Sequence, residues 1–380
     1  MIAARLATYY GVIFFVIGIM LPFWPLWMQA RGLSPEDIGI VMGVGMLIKI
    51  VANPVIAGYA DRTGTRREPL IFLSVIAALT FSCFWLAQSF WPILIVTMAF
   101  FMFWSPIMPL TESLAMHHSK IGALDYGRVR LWGSFTFIIA AIGGGWVLTG
   151  QDRDLIYWIL LTGTATAVIS ALMLPDRRLP GSHGKHSFYP FLSVLKDRKF
   201  ILFIIATGLL QTSHIIYYAF GTIHWQKAGH SEVVIGWLWA EGVIAEVFVF
   251  ILGSWLIKKI GPTGLIALAG LAGMIRWWGT GITDALSALL LLQILHGATF
   301  GATHLGAIHF IAQRMNTSIS ATAQSIYAAA VSGIGFSIAS LISGHLYTAF
   351  GSAAYFPMAA MAGAGGLIAF QLGRPRSSSA

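Results

Sequence analysis

The sequence predicts an all-α membrane protein with twelve transmembrane helices, and three observations support this fold class. Hydrophobic residues make up 57% of the chain and charged residues only 10%, whereas roughly 25% of the residues in a soluble domain are charged. The apolar residues form long runs separated by short polar links. A helix needs about 20 mainly apolar residues to cross the hydrocarbon layer, so the chain holds about a dozen such runs and almost nothing remains for a soluble domain.

The first apolar run, Tyr9 to Met28, is too long for a signal-peptide core and lacks a small-residue cleavage site, so we expect it to be retained as span 1. The twelve predicted spans lie at about 6–29, 36–60, 69–88, 91–116, 128–149, 155–174, 200–225, 232–257, 263–281, 285–312, 319–349 and 353–372.

Basic residues predict the orientation of the chain. An even number of spans places both termini on one side of the membrane. Of the 23 Lys and Arg residues, 17 then lie on the terminal side, three lie within spans and three lie opposite, namely Arg31, Arg153 and Lys227. Because positively charged loops stay in the cytoplasm, we expect both termini to be cytoplasmic, with the chain in the inner membrane of a bacterium.

One long polar link divides the spans into two groups of six. It runs from Pro175 to Lys199 and is rich in charged residues. Equal halves joined by a cytoplasmic link indicate an internal duplication, the plan of carriers with a central binding site. We therefore predict two pseudo-symmetric six-helix bundles, at 1–174 and, with a short tail, at 200–380, joined by a cytoplasmic loop at 175–199.

Composition argues against several function classes. The net charge of +9 comes from short basic clusters between apolar runs, so we expect no nucleic-acid partner. Cys83 is the only cysteine, which leaves neither a disulfide framework nor a thiolate metal site. The chain has no nucleophile constellation and no sizeable soluble domain. We therefore expect no enzyme, no receptor, no cofactor and no metal.

A short loop after span 2 reads Asp61-Arg62-Thr63-Gly64-Thr65-Arg66-Arg67. Glycine allows a tight turn there. The acid can meet the start of a neighbouring helix, and the arginines can meet acids or phosphates. An ordinary positive loop would have a similar composition. The alternative is a gate formed by Asp61, Arg62, Gly64 and Arg66.

Ionisable residues within the spans are candidates for binding or coupling. An uncompensated Arg, Lys or Asp at mid-helix costs about 2.5 to 3.5 kcal/mol, so such groups face a partner or a wet cavity. Some can instead be struts between helices or lie at span ends. The short loop between spans 4 and 5 lets Glu112 approach Arg130, while Arg128 lies about 200° away on the same helix. The six residues are Lys49, Glu112, Arg130, Glu241, Glu246 and Arg276.

Span 10 carries a polar stripe within an otherwise apolar helix. His296, Thr299, Thr303 and His304 lie on one helical face. Histidine changes charge near neutral pH and can relay protons, but it can also be a neutral core residue. His214, Tyr217 and Tyr218 on span 7 are candidates for the facing wall.

The order of residues 61–67 resembles the signature loop of the major facilitator superfamily. Within it, the chain resembles the branch that includes the lactose permease and the 3-phenylpropionic acid transporter. Three segments carry this likeness: Tyr9-Tyr10, Leu21-Pro-Phe-Trp-Pro-Leu-Trp27 and Tyr126-Gly-Arg-Val-Arg-Leu-Trp-Gly133. The number of residues from Glu112 to Arg130 is similar to the number between the permease's substrate-binding acid and its arginine. The number from Arg276 to His296 is likewise similar to the number between the permease's span 9 arginine and its span 10 histidine.

Several positions depart from the permease. Thr299 stands where its proton-bearing glutamate lies, Gln293 replaces a lysine, and Phe137 replaces the tryptophan that stacks on sugar. The permease's span 8 acid corresponds here to Glu246, which is displaced by about one turn. His214 and Tyr217 occupy the positions of the permease's two span 7 acids. The segments 237–246 and 295–304 resemble the 3-phenylpropionic acid transporter group instead, which implies uptake of an aromatic carboxylate with protons.

We therefore expect a monomeric proton symporter for a small organic molecule, with an aromatic carboxylate such as 3-phenylpropionate as its substrate. Lys49, Arg130 and Arg276 are candidate cations for the anion, with Glu112 and Phe137 completing the binding residues. Glu246, His296 and His304 are expected to exchange the proton. A sugar or nucleoside symporter and a drug exporter are the alternatives.

We predict that a reporter fused after Ala380, or inserted near Gly184, reads cytoplasmic. The reason is the excess of Lys and Arg on the terminal side. Paired phosphatase and fluorescent-protein fusions measure this. A periplasmic signal at either site contradicts the orientation.

Overall fold

The computed structural model describes residues 2–175, 196–315 and 317–374, and the regular structure in these ranges is helical. Most of the predicted link at 175–199 therefore lies outside the described residues. The described part of the first half, residues 2–175, contains seven α-helices: α1 (Ile2–Ala30), α2 (Pro35–Thr63), α3 (Arg67–Ser82), α4 (Phe90–Trp104), α5 (Ile107–Lys120), α6 (Tyr126–Leu148) and α7 (Asp154–Leu172).

From residue 196 to residue 374, the described residues form nine α-helices, several of which continue one another along a single span. They are α8 (Arg198–Thr212), α9 (Ile215–Lys227), α10 (Glu232–Ile251), α11 (Gly253–Ile282), α12 (Leu286–His296), α13 (Ala302–Arg314), α14 (Thr317–Ala328), α15 (Phe336–Phe350) and α16 (Tyr355–Gly373).

Eleven helical stretches in the described residues are long and apolar enough to cross a membrane. The last of them, 322–373, has 52 residues and a helical length of about 78 Å, which is more than twice the hydrocarbon thickness of about 30 Å. Gly351, with φ 54°, interrupts this stretch between α15 and α16. The all-helical membrane fold is confirmed, while twelve crossings and two six-helix bundles stay predictions.

Several predicted spans are divided in ways that their hydropathy does not show. Span 4 divides between α4 and α5 before Pro106, where the ring removes a helical hydrogen bond. Span 10 contains a wider π-helical turn, Gly297–Gly301, between α12 and α13. A second one, Ala329–Gly335, joins α14 to α15. π-Turns of this kind concentrate at functional sites, and the first directly follows His296.

Spans 8 and 9 are separated at Gly261. Its φ of 70° and ψ of 169° lie outside the helical region, and Pro262 follows. Glycine adopts a positive φ without a steric penalty. The turn therefore falls between the predicted ends at 257 and 263, although helical structure continues on both sides of it.

Small residues bring helices into close contact. A Cβ added to Gly270 on α11 would lie 2.3 Å from the Cα of Gly366 on α16, and one added to Gly18 on α1 would lie 2.8 Å from the carbonyl oxygen of Phe137 on α6. Small residues let backbones approach where lipid supplies no hydrophobic force between helices.

Two compact units are present. One comprises Met1–Lys185 with Tyr218–Ala240, and the other comprises His186–Tyr217 with Glu241–Ala380. The segment 218–240, from the second half of the sequence, thus groups with the helices of the first half. The predicted division of the chain at 175–199 stays a prediction.

Candidate functional site

A cavity of about 390 Å³ lies among α1, α2, α4 and α5 of the first unit. Most of its wall is apolar and polarisable, and methionine adapts its shape to different apolar ligands. Its polar side chains are few, as is typical of small-molecule sites. The apolar wall includes Met20, Met28, Met42, Met46, Met108, Trp24, Phe101 and Trp104, and the polar side chains are Lys49, Asn53, Thr97 and Ser105.

Lys49 is the cation of this cavity. Its Nζ lies 5.0 Å from the ring centroid of Phe101, within range of a cation–π contact. No carboxylate is found among the described residues that line the cavity. The cavity therefore combines one positive charge with an aromatic wall.

Three polar groups lie in the same wall as Lys49. The Ser105 hydroxyl donates to Asn53 Oδ1 at 2.8 Å. Thr97 is 2% exposed, and its Oγ1 has no hydrogen-bond partner in the described part of the chain. A buried hydroxyl without a partner costs about 1–3 kcal/mol, so this oxygen is suited to meet a ligand.

Glu112 and Arg130 lie together, as the short loop between their spans allows. Glu112 Oε1 is 3.3 Å from Arg130 Nε, and the Tyr126 hydroxyl donates to Glu112 Oε2 at 2.5 Å. The guanidinium also lies 4.2 Å from the ring centroid of Phe14. The cavity wall around Lys49 includes neither Glu112 nor Arg130, nor the buried Phe137. The structure thus separates Lys49 from the other predicted binding residues of the first half.

Arg276 on α11 is 1% exposed and donates to three neutral side chains. Its Nη1 is 2.9 Å from His296 Nδ1 and 3.0 Å from Thr299 Oγ1, and its Nη2 is 2.6 Å from Gln293 Oε1. The guanidinium also lies 4.7 Å from the ring centroid of Tyr217. A guanidinium has donors and no acceptor, so His296 Nδ1 accepts here and carries no proton.

His214 on span 7 and His304 on span 10 extend this cluster. His214 Nε2 lies 3.1 Å from Thr299 Oγ1, which joins α8–α9 to the π-turn. His304 stacks on Phe300 at 6.4 Å between ring centroids and is half-buried. Of the predicted proton-coupling histidines, His296 contacts Arg276, and His304 lies further along α13.

Glu246 on α10 packs against the π-turn that follows His296. A Cβ added to Gly301 would lie 3.3 Å from Glu246 Cγ, and one added to Gly297 would lie 2.4 Å from the carbonyl oxygen of Ala245. One carboxylate oxygen of Glu241 is buried and has no hydrogen-bond partner among the described residues. Both acids therefore lie on the helix that packs against the His296 turn.

The loop after α2 forms a closed ion-paired turn. Gly64, with φ 70°, caps α2, and Arg66 pairs with Asp61 while donating to the carbonyl of Ala60 at 2.6 Å. Arg66 Nε also reaches Ser113 Oγ on α5 at 3.4 Å, whereas Arg62 is exposed. The turn thus connects the end of α2 to α5.

At the other end of the bundle, a contact that sequence reasoning missed joins α6 and α7 to α10. Arg153 Nη2 is 2.7 Å from Glu232 Oε1. A Cβ added to Gly236 would lie 2.3 Å from the carbonyl oxygen of Ala141. The only sequence signal was that Arg153 is one of the three basic residues predicted on the less positive side.

Outside the spans, Asp197 and Arg314 form an ion pair at 2.8 Å. Partial burial raises the pKa of Asp197, but the hydrogen bonds from Arg314 and from the backbone of Lys199 and Phe200 outweigh it, so that this pKa lies below its ordinary value. The pair fastens the start of α8 to the end of α13.

Known proteins with similar sequences or structures are transporters. Residues 3–358 match the family described as "MFS_1 like family". The chain is 33% identical over 360 residues to an Escherichia coli K12 protein named "Probable 3-phenylpropionic acid transporter", covering 94% of each chain. It is 26% identical to a Geobacillus stearothermophilus maltose permease, covering 89% of this chain and 86% of that one.

The fold is also found in a solved transporter structure. The D323A mutant of the nucleoside transporter NupG superposes with a TM-score of 0.85 over 98% of this chain and 99% of that one, at 17% identity.

We predict that Glu232→Gln loosens the packing of 232–240 against α6, because it removes the charge that Arg153 meets. The loss is on the order of 1 kcal/mol for a partly exposed pair, or roughly five-fold faster amide exchange. Hydrogen–deuterium exchange read by mass spectrometry measures it. Asp154→Asn is the matched control, since it breaks the Arg31–Asp154 pair at 2.6 Å without touching α10. Equal exchange of 232–240 in both variants contradicts the assigned role.

Proposed function

Because the chain belongs to the MFS_1-like family of the major facilitator superfamily, we propose that it is a secondary active transporter that takes up a small aromatic carboxylate, such as 3-phenylpropionate, together with protons. Alternating access moves the substrate across the inner membrane of a bacterium. The proposed unit is a monomer with twelve crossings in two six-helix halves and with cytoplasmic termini.

The cavity around Lys49 is the observation that carries the proposal. An aromatic carboxylate has a flat apolar body and one negative end. Trp24, Trp104 and the methionines supply the apolar wall, while Lys49 supplies the counter-charge. The unpartnered Thr97 hydroxyl adds a donor for a carboxylate oxygen. Burial of an anion is costly unless it meets a charge and hydrogen bonds, and this wall offers both.

The cluster around Arg276 supports a coupling role. Arg276 keeps its proton at all physiological pH values, so the groups of this cluster that can change charge include His296 and His214. Glu246 packs on the turn that follows His296. A proton on His296 Nδ1 would end its acceptance from Arg276. Protonation of His296 would therefore release a held contact between α11 and α12, which is the kind of change that can link proton binding to helix movement.

The contact of 218–240 with the first half supports alternating access. Gly145 and Gly236 let α6 and α10 meet backbone to backbone. Few side chains must be repacked when a backbone-to-backbone contact of this kind between two helices opens. We propose that it closes one face of the carrier and separates when that face opens.

A sugar or nucleoside symporter is the second candidate, and the Asn53–Ser105 pair favours it. An amide and a hydroxyl in the cavity wall can bind the hydroxyls of a neutral ligand. For a neutral substrate, Asn53 would contribute to the binding free energy and the charge of Lys49 would contribute little. A drug exporter would share the apolar wall but needs no inward proton-driven accumulation.

We predict that Lys49→Met lowers kcat/KM for 3-phenylpropionate uptake roughly 10- to 100-fold, the loss expected for a charge-assisted contact. Lys49→Arg should keep most of the activity. Proteoliposomes with an imposed pH gradient and labelled substrate measure this, with a sugar and a nucleoside as competitors. Asn53→Ala is the matched cavity variant. If Asn53→Ala abolishes uptake while Lys49→Met spares it, the neutral-substrate reading replaces the anion reading.

We predict that Glu246→Gln retains substrate binding and exchange between equal pools but loses proton-driven accumulation. Glutamine imitates the protonated acid and cannot release a proton. Counterflow and pH-driven uptake are compared in the same vesicles. Glu241→Gln is the control on the same helix. Accumulation by Glu246→Gln in response to a pH difference would move the coupling role to Glu112 or Glu241.

A further inference from the structure

A second, larger groove runs along α1, α6 and α7 on the outside of the first unit. Its volume is about 890 Å³, and it is lined by parts of 4–15 on α1 and 155–166 on α7, with Trp132 and Thr136 on α6. These stretches give it a length of about 17 Å. Trp132 is 53% exposed and Trp158 is 47% exposed, so in a membrane the groove opens to lipid.

Three of the four threonine hydroxyls that line this groove bond to their own helix and not to a ligand. Thr136 donates to the carbonyl of Trp132, Thr162 to that of Trp158, and Thr166 to that of Thr162, at 2.7 to 2.9 Å. A threonine that bonds to its own helix presents its methyl group outward. The wall is therefore more apolar than its residue types suggest, which suits a hydrocarbon chain and not a polar solute.

Two arginines flank one end of the groove. Arg5 directly follows Ala4, which lines the groove, and Arg128 precedes Trp132 by one helical turn. The helices α1 and α6 run in the same direction, because Gly11 faces Thr136 and Ile19 faces Gly144. Both arginines thus lie at the same end of the groove.

Both guanidiniums are also accessible to a ligand. Arg5 is exposed, and the side chain of Arg128 is 87% exposed. Asp125 approaches Arg128 at 3.5 Å, but an exposed pair at this distance is weak and can be displaced. An apolar groove with two cations at one end is complementary to an anionic amphiphile.

We propose that this groove binds an anionic glycerophospholipid. One acyl chain lies along α1, α6 and α7, and the phosphate lies between Arg5 and Arg128. Each basic residue near an anionic lipid headgroup contributes roughly a five-fold gain in affinity. The site is distinct from the cavity around Lys49, and its occupant belongs to the bilayer and is not transported.

Native mass spectrometry of the purified full-length protein tests the proposal. The detergent-solubilised protein is titrated with phosphatidylglycerol and with phosphatidylcholine of the same acyl chains. We expect tighter binding of phosphatidylglycerol by roughly ten-fold or more. The Arg5→Gln/Arg128→Gln variant should bind both lipids equally. Thr162→Phe, which fills the groove from its wall, should weaken the binding of both.

Lys258→Gln/Lys259→Gln is the matched control, because it removes two exposed cations far along the chain from the groove. It should keep the preference for phosphatidylglycerol. Size-exclusion profiles verify folding, and the single variant Arg128→Gln serves if the double variant is unstable. Equal binding of both lipids by the unsubstituted protein overturns the proposal. So does a preference that survives in the arginine variant or is lost equally in the lysine control.

Discussion

Close contact between helix backbones is the constraint on which the rest of this structure depends. In hydrocarbon, each helix must satisfy its own backbone hydrogen bonds, and helices associate through packing instead of the hydrophobic effect. Gly270 against Gly366, Gly18 against Phe137 and Gly236 against Ala141 are the points where α11 meets α16, α1 meets α6 and α10 meets α6. Each contact removes a side chain from a crossing, so polar groups on the neighbouring turns are held at fixed distances.

This constraint also explains why the two internal cations have different surroundings. Arg276 is held where α11 packs against α12 and the π-turn, and its donors meet Gln293, His296 and Thr299. Lys49 lies in the wall of a cavity among apolar side chains. A guanidinium engaged by three neutral acceptors organises its surroundings, whereas an ammonium against an aromatic ring retains donors for a ligand. This difference supports the proposed roles, in which Lys49 binds the anion and Arg276 holds His296.

Sequence reasoning placed the helices well because hydropathy depends only on which residues must avoid water. The turn at Gly261 and the end of α2 at Gly64 were also readable, since glycine marks both. The proximity of Glu112 to Arg130 followed from one short loop. In contrast, the π-turn at Gly297–Gly301 and the Arg153–Glu232 pair involve contacts between segments that are distant in the sequence. The break after Trp104 has a local signal in Pro106, but proline is also tolerated within membrane helices, so the sequence did not place a break there. Nor could spacing show that Phe137 lies outside the wall around Lys49, because helix rotation is set by packing.

The π-turn gives His296 a particular position in the proposed coupling. It begins at the residue after His296, and α10 meets it through the carbonyl of Ala245 beside Gly297 and through Glu246 beside Gly301. The histidine therefore adjoins both the fixed charge of Arg276 and the turn on which Glu246 packs. Because Arg276 cannot give up its proton, added positive charge on His296 must be relieved by movement or by an anion. Glu246, which packs on the same turn, can supply that anion when it is ionised. In the proposed coupling, a proton on His296 and the charge of Glu246 therefore act on the same π-turn, so that proton binding can change how α10 packs against it.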